Sequence, residues 1–305
     1  MPFNNKIDAS TRYCAVYGFP IHHSASPAMQ NAGLSALGLN WRYLACEVHP
    51  SQLKQAILGA QAMRFAGLNL TVPHKILALD MMDVLDDSAK ILGAVNTVRF
   101  EARNELGEWQ PIQTLAPASE APLRAHGFNT DGNAVIRSIQ QDLELELQGS
   151  KVILLGVGGA GKTAALKLAS SGVSELHLIN RTTSKAVELK EKIETSGSRT
   201  RIGLDYPKGK VDLIVNATSL GLTEEDPLPL DLNRFPLSQA NAVYDMIYQP
   251  PMTRLLKEAN REGCRTANGA TMLLLQGVEA MEIWTGEEAP IEIMKQSLER
   301  HLQHV

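Results

Sequence analysis

Cysteine is scarce. The 305-residue chain carries three, Cys14, Cys46 and Cys264, widely separated and outside any metal-ligand spacing. An odd, scattered set excludes a disulfide scaffold and points to a reducing compartment. Long apolar runs are missing as well. No segment approaches the length of a membrane span, and the opening stretch MPFNNKIDAS lacks the apolar core of a secretory signal. A cytoplasmic protein is therefore expected. Nor does one sign of charge dominate: 29 basic against 33 acidic residues leave −4, no electrostatic footprint for nucleic acid or an anionic membrane. No internal repeat or low-complexity tract is evident.

What remains is an ordinary globular composition, 44% hydrophobic and 20% charged, in a chain long enough for two domains. Short apolar strands alternate with helical patterns, which predicts βαβ units, largely parallel sheets and an α/β fold class. YCAVYG, WRYLACEV, FAGLNLTV and NTVRFEARN read as strands, with helices starting near Pro27, Ser51 and Pro73. Residues 105–126, with Pro111, Pro117 and Pro122, read as a long loop or irregular hairpin. A second block opens at KVILLG and runs through ELHLIN, VDLIVNAT and NAVYDMIY, and the chain is helical from Thr271.

The second block carries the sharpest motif. KVILL, GVGGAG and KTAALKLASSG read as strand, glycine turn and helix. Gly156, Gly158 and Gly161 fit the dinucleotide pattern G-x-G-x-x-G. Val157, Gly159 and Ala160 complete a turn that brings backbone N–H groups to a pyrophosphate at a helix N-terminus. The same residues fit a P-loop through Gly156, Gly161, Lys162 and Thr163, so the glycines alone leave both open. The end of the next strand separates them. Asn180, Arg181, Thr182 and Lys185 stand where an NAD site would favour an acidic residue, and an arginine among amide and hydroxyl groups suits a 2′-phosphate. NADP is the expected cofactor. A P-loop enzyme would also need a strand-end aspartate for magnesium, and Asp212 lies near the start of its strand.

Other motifs surround this one in order: GFPIHHSASPAMQNA, GLNLTVPHK, GAVNT, GFNTDG, NRTTSK, NATSLG, YDMIYQPPMT and NGATMLLLQG. Together, from position 18 to 286, they resemble the shikimate dehydrogenase family. The resemblance implies a substrate-binding catalytic domain over 1–130, joined by a closing C-terminal helix at 271–305, and a Rossmann-type NADP domain over 131–270, with a cleft between them. It implies reversible, NADP-dependent reduction of 3-dehydroshikimate to shikimate on the route to chorismate and the aromatic amino acids. A quinate/shikimate dehydrogenase with relaxed substrate or cofactor choice is the alternative, and a P-loop hydrolase built on Lys162 and Thr163 is the alternative of another class. The expected partners are small molecules, in a monomer or a homodimer. Ala134 departs from the family pattern where its last glycine belongs, and 105–126 is longer than the family's usual hairpin.

The individual residues admit plain readings beside the functional ones. Ser26, before Pro27, fits a helix N-cap. Ser24 and Ser26 at a helix N-terminus also suit a substrate carboxylate, the reading that the resemblance favours. Lys75 follows Pro73, so it is expected in the first turn of a helix, where the macrodipole disfavours a cation. Read alone it is a surface lysine; the resemblance makes it catalytic together with Asp131, which alone reads as an N-cap. The pair would hold the reacting hydroxyl and move its proton. Asn69, Thr71 and Asn96 lie near strand ends and are expected on the substrate's hydroxyls. Gln276 interrupts an apolar run and needs a polar partner, with substrate the implied one. Tyr248 is assigned to substrate by resemblance alone. Met246 and Gly269 are expected beside the nicotinamide, and Asp87 near the cofactor. His22 and His23 have no third ligand at suitable spacing, so no metal is expected.

Overall fold

The computed structural model describes residues 7–114 and 120–304. The chain divides into two compact units, Met1–Thr130 with Gln276–Val305, and Asp131–Leu275.

The first unit is built on β1 (Arg12–Gly18), α1 (Ser26–Ala36), β2 (Trp41–Glu47), α2 (Leu53–Ala62), β3 (Gly67–Leu70), α3 (His74–Leu77), β4 (Val84–Leu85), α4 (Asp87–Leu92), β5 (Thr97–Arg103), β6 (Trp109–Pro111) and β7 (Leu123–Phe128). The strands form one sheet in the order β2-β1-β3-β5-β7-β4, with β6 paired to β5. Strands β1, β2 and β3 run parallel, as do β4 and β7, whereas β5 runs against β3, β6 and β7. β1 reads as a nearly continuous apolar run because both its faces are covered. Leu53, Ile57, Leu68, Leu70, Val98 and Phe100 fill the core on one side.

Of the two readings of 105–126, the described residues fit the irregular hairpin, with β6 folded back antiparallel on β5. The stretch holds β6, a single 3-10 turn over Ile112–Thr114 and the start of β7; residues 115–119 lie outside the described residues. Ile112 is buried in the core, and the Arg124 guanidinium stacks on Trp109. β7 (LRAHGF) escapes a hydrophobic pattern because its Arg124 and His126 are matched to a buried carboxylate, Glu101, rather than to apolar neighbours.

The second unit contains α5 (Asp131–Leu143), β8 (Lys151–Leu155), α6 (Gly159–Ser170), β9 (Glu175–Ile179), α7 (Thr183–Thr195), β10 (Arg201–Gly203), β11 (Val211–Asn216), β12 (Ala240–Asp245), α8 (Arg254–Arg261) and β13 (Arg265–Asn268). Its six strands are all parallel, in the order β10-β9-β8-β11-β12-β13. This is the doubly wound Rossmann order, and strand order reverses between β8 and β11, where such sheets bind ligands. The helical C-terminal stretch is two helices, α9 (Ala270–Thr285) and α10 (Ile291–Gln303). In the first unit Trp284 of α9 donates to the Val98 carbonyl (2.9 Å), and α10 packs on α1 with Ser297 bonded to the Ala28 carbonyl.

Candidate functional site

In the second unit a cavity of about 450 Å³ opens at the switch point. Its walls come from the ends of three strands: Gly156 and Gly158 after β8, 179–182 and Lys185 after β9, and 217–220 after β11. Gly156 has φ +90°, and a Cβ there would meet Thr218 at 2.7 Å, so only glycine makes this turn. A Cβ on Gly161 would run into the Gly156 carbonyl, which lets α6 start tight against the turn. A Cβ on Gly158 would meet nothing, and Gly158, Gly159 and Ala160 are exposed, so this backbone is open to a ligand. No side chain caps α6, leaving its first N–H groups for an anion.

Asn180 joins the two sides of this cavity. Its Oδ1 accepts from the buried Val157 N–H (3.1 Å) and its Nδ2 donates to the Thr182 carbonyl (2.8 Å). The amide thereby sets the glycine turn and presents Arg181, Thr182 and Lys185, all exposed, along the rim. The P-loop arrangement is not present. Thr163 is buried in α6, and the Asp212 carboxylate accepts from the Lys151 N–H and from Asn241 instead of facing the turn.

The opposite wall rests on a buried polar network. Asn216 Oδ1 accepts from the Thr218 N–H and hydroxyl, and its Nδ2 donates to the Leu220 carbonyl and to Asp245. Asp245 is fully buried, and burial raises its pKa against hydrogen bonds from Thr253, the Ile247 N–H and Asn216. The Thr253 hydroxyl also caps α8. Met246 follows Asp245, its N–H on the Asn216 carbonyl, and Gly269 packs so close that a Cβ would strike the Met246 carbonyl. Tyr248 is half-buried in the same segment. Asp131 is buried as the first residue of α5, an N-terminal place that the helix dipole favours for a carboxylate.

In the first unit Ser26, Asn69 and Asn96 come together. Asn69 Nδ2 donates to the Asn96 carbonyl (3.2 Å) and to Thr97 Oγ1 (3.0 Å), while its Oδ1 accepts from the Tyr43 hydroxyl (2.6 Å). Asn96 Oδ1 accepts from the Thr130 N–H (2.8 Å) and the Thr97 hydroxyl, and its Nδ2 donates to Thr130 Oγ1. Burial pushes the Tyr43 phenol well above its ordinary range, with the Ser26 side chain beside it pulling the other way. Ser26 is not the cap of α1. It is the first helical residue, Ala25 holds the cap position without a side-chain bond, and the Ser26 N–H points to Ser24 Oγ (3.4 Å). Half-buried Thr71 lies against Gly18, its N–H on the Tyr17 carbonyl.

Lys75 is half-buried in α3, which is a single turn. So short a helix has no appreciable macrodipole, and, against the expectation, none disfavours the Lys75 cation. Its neighbour His74 is fully buried with neither ring nitrogen well partnered; burial lowers its pKa, with the Val48 backbone opposing. Asp87 is exposed in the first turn of α4, 3.0 Å from Lys90, while Asp86 is the cap. Gln276 is buried in α9. His22 pairs with Glu47 (3.2 Å), and among the described residues no three His, Cys, Asp or Glu side chains converge as a metal site.

Comparison with known proteins points to one family. Residues 16–98 match the model of the shikimate dehydrogenase substrate binding domain, 137–220 that of shikimate / quinate 5-dehydrogenase, and 269–299 that of the shikimate 5'-dehydrogenase C-terminal domain. A curated relative from Methanopyrus kandleri, shikimate dehydrogenase (NADP(+)), is 37% identical across 99% of this chain and 100% of its own. The chain belongs to the shikimate dehydrogenase family. A crystal structure of a shikimate dehydrogenase in complex with NADP+ superposes with a TM-score of 0.84 at 32% identity, covering 99% of both chains. The Thermus thermophilus shikimate 5-dehydrogenase, in complex with NADP(H) and shikimate, superposes at 0.77, with 32% identity over 95% of this chain and 99% of that one.

In this member of the shikimate dehydrogenase family, the residues that sequence reasoning passes over are the supports. Tyr43, Thr97 and Thr130 tie the first cluster together, and Asn216, Thr218, Asp245 and Thr253 tie the cavity wall. Asn216 and Asp245 had one signal, a polar residue ending an apolar strand beside the expected cofactor site. Tyr43 had none, since a tyrosine in a strand reads as core.

Proposed function

We propose that the chain is an NADP-dependent shikimate dehydrogenase that interconverts shikimate and 3-dehydroshikimate on the chorismate route. The observation that carries the reading is the switch-point cavity, where the glycine turn and Arg181, Thr182 and Lys185 share one wall system held by Asn180. A dinucleotide fits it: an open backbone at Gly158 for the pyrophosphate, and two cations with a hydroxyl for a 2′-phosphate. When bound, NADP supplies the hydride acceptor, taking hydride from the carbon that bears the substrate hydroxyl.

In this reading the second unit binds cofactor, with Met246 and Gly269 beside the nicotinamide, and the first binds substrate. Ser24 and Ser26 take the carboxylate, Asn69, Thr71 and Asn96 the ring hydroxyls, and Tyr248 and Gln276 are assigned to substrate too. Lys75 and Asp131 handle the proton of the reacting hydroxyl: one accepts it as the carbonyl forms and returns it on reduction. Asp87 is assigned to the cofactor as well. The three free cysteines support a cytoplasmic setting. A monomer or homodimer is proposed; none of the described helices is long and apolar enough to cross a membrane.

The test follows NADPH absorbance with shikimate and NADP, then with quinate and NAD exchanged in turn. Shikimate-dependent NADPH formation, lost in Lys75→Met with the fold intact, is expected. ATP hydrolysis with no shikimate-dependent reduction would overturn the reading. Preference for quinate or NAD would move the chain within its family.

A further inference from the structure

We propose that Tyr43, outside every motif, is a positioning residue for substrate that acts through Asn69. The inference rests on the shikimate dehydrogenase reading.

Two backbone groups set the polarity of the whole cluster. The Asn96 carbonyl can only accept, so the Asn69 side-chain nitrogen must face it. The Thr130 N–H can only donate, so the Asn96 side-chain oxygen must face that. Thr97 passes the direction along, accepting from Asn69 and donating to Asn96 Oδ1. Both amide hydrogens of Asn69 are therefore spent, and its oxygen is left facing Tyr43, whose hydroxyl must donate at 2.6 Å. Among the described residues, what remains to a ligand is a lone pair on Asn69 Oδ1 and an N–H of Asn96. That combination suits a hydroxylated ring, whose hydroxyls donate to the one and accept from the other.

Tyr43 is held for this task. Asn31 of α1 clips its backbone on both sides, accepting from its N–H (2.9 Å) and donating to its carbonyl (2.8 Å). Its ring is buried against Trp284, with centroids 6.0 Å apart. The phenol thus reaches Asn69 from a fixed base on β2, and the Asn69 oxygen has a donor that keeps it aimed before substrate arrives. Ser26 lies beside the same hydroxyl, so Asn69 and Ser26 must be separated by experiment.

Tyr43→Phe keeps the ring and removes only the donor. With one hydrogen bond at stake, the shikimate KM is expected to rise about tenfold, with kcat and the NADP KM changed by less than about twofold. In an Asn69→Ala background the same change is expected to leave the shikimate Kd, measured by calorimetry, where Asn69→Ala puts it. A lowered melting temperature with an unchanged shikimate KM would make Tyr43 merely structural and overturn the proposal. Equal rises in both KM values, or additive effects of the two variants, would do the same. A folded wild-type enzyme without shikimate-dependent NADP reduction would overturn the functional reading itself, and this inference with it.

Discussion

The glycines of the turn after β8 do two separable things. Gly161 is enclosed, and a methyl group there meets the Gly156 backbone, which cannot rotate aside. Gly158 has open space where its Cβ would stand. Gly161→Ala should therefore lower stability by about 1–3 kcal/mol, the scale of overpacking, and lose NADP binding because the turn moves. Gly158→Ala should leave the urea midpoint nearly unchanged yet weaken NADP, since the new methyl occupies the approach to the pyrophosphate. Equal stability loss in both variants would remove the distinction. Sequence pattern alone reaches these residues, because a glycine motif between a strand and a helix states its own geometry. It reaches Asn180 and Arg181 through their strand-end position. It does not reach the work of Asn180 as a clip on Val157, a contact between distant segments that no local pattern encodes. The setting of Lys75 is not locally legible for a related reason. Pro73 marks where α3 starts, but nothing local says it ends after one turn.

Elements, too, were legible where their physics is local. Strands β1, β8, β11 and β12 announce themselves as apolar runs because both faces are covered. β7 does not, since only one of its faces is apolar: Leu123 and Ala125 pack into the core, while Arg124 and His126 on the other face meet a carboxylate. Glu101 on β5, nearly inaccessible, receives Arg99 and Arg124 and lies 3.1 Å from His126, while Arg99 also reaches the Ile283 carbonyl of α9. The cluster joins β5, β7 and the end of α9, and Gln113 from the 3-10 turn adds a bond to the Trp284 carbonyl. Burial alone would raise the Glu101 pKa, but hydrogen bonds from His126, Arg99 and Arg124 outweigh it and bring the value down from 4.5 to about 2. A depressed carboxylate pKa stabilises the fold above the unfolded value. Its contribution, about 3 kcal/mol by linkage, is present at neutral pH and fades as pH falls from 4.5 towards 2. Glu101→Gln should thus be clearly less stable than wild type in urea at pH 7, and the gap should shrink in acid through that window. His74, whose pKa is lowered by burial, weakens both proteins alike as pH falls through 6.5 and does not alter the gap. A gap that stays constant from neutral pH to pH 3 would mean that Glu101 matters through shape and not charge.

At the scale of the whole molecule, the α/β class and a Rossmann sheet follow from alternating strands and helices, whereas the first sheet is mixed because β5 returns against its neighbours. Local pattern cannot state strand direction, and neither can it state that one unit takes its last part from beyond position 275. The division predicts how the two ligands should act separately. A ligand that binds only the folded state stabilises what it touches by about 2.7 kcal/mol at a hundred times its Kd. In hydrogen exchange, NADP alone should slow the segments 156–161, 180–185 and 217–220, which supply most of the lining of the cavity of the second unit, by up to about a hundredfold. Shikimate alone should slow 24–26, 69–71 and 96–97, the segments of the first unit that carry Ser26, Asn69, Asn96 and Thr97. Arg181→Ala should diminish the NADP effect and leave the shikimate effect intact, because the two ligands draw on different residues. Protection of 180–185 by shikimate, with none there from NADP, would reverse the assignment of the units. Protection by NADP that survives Arg181→Ala undiminished would leave the 2′-phosphate to Thr182 and Lys185, the other two rim residues that the same strand end supplies.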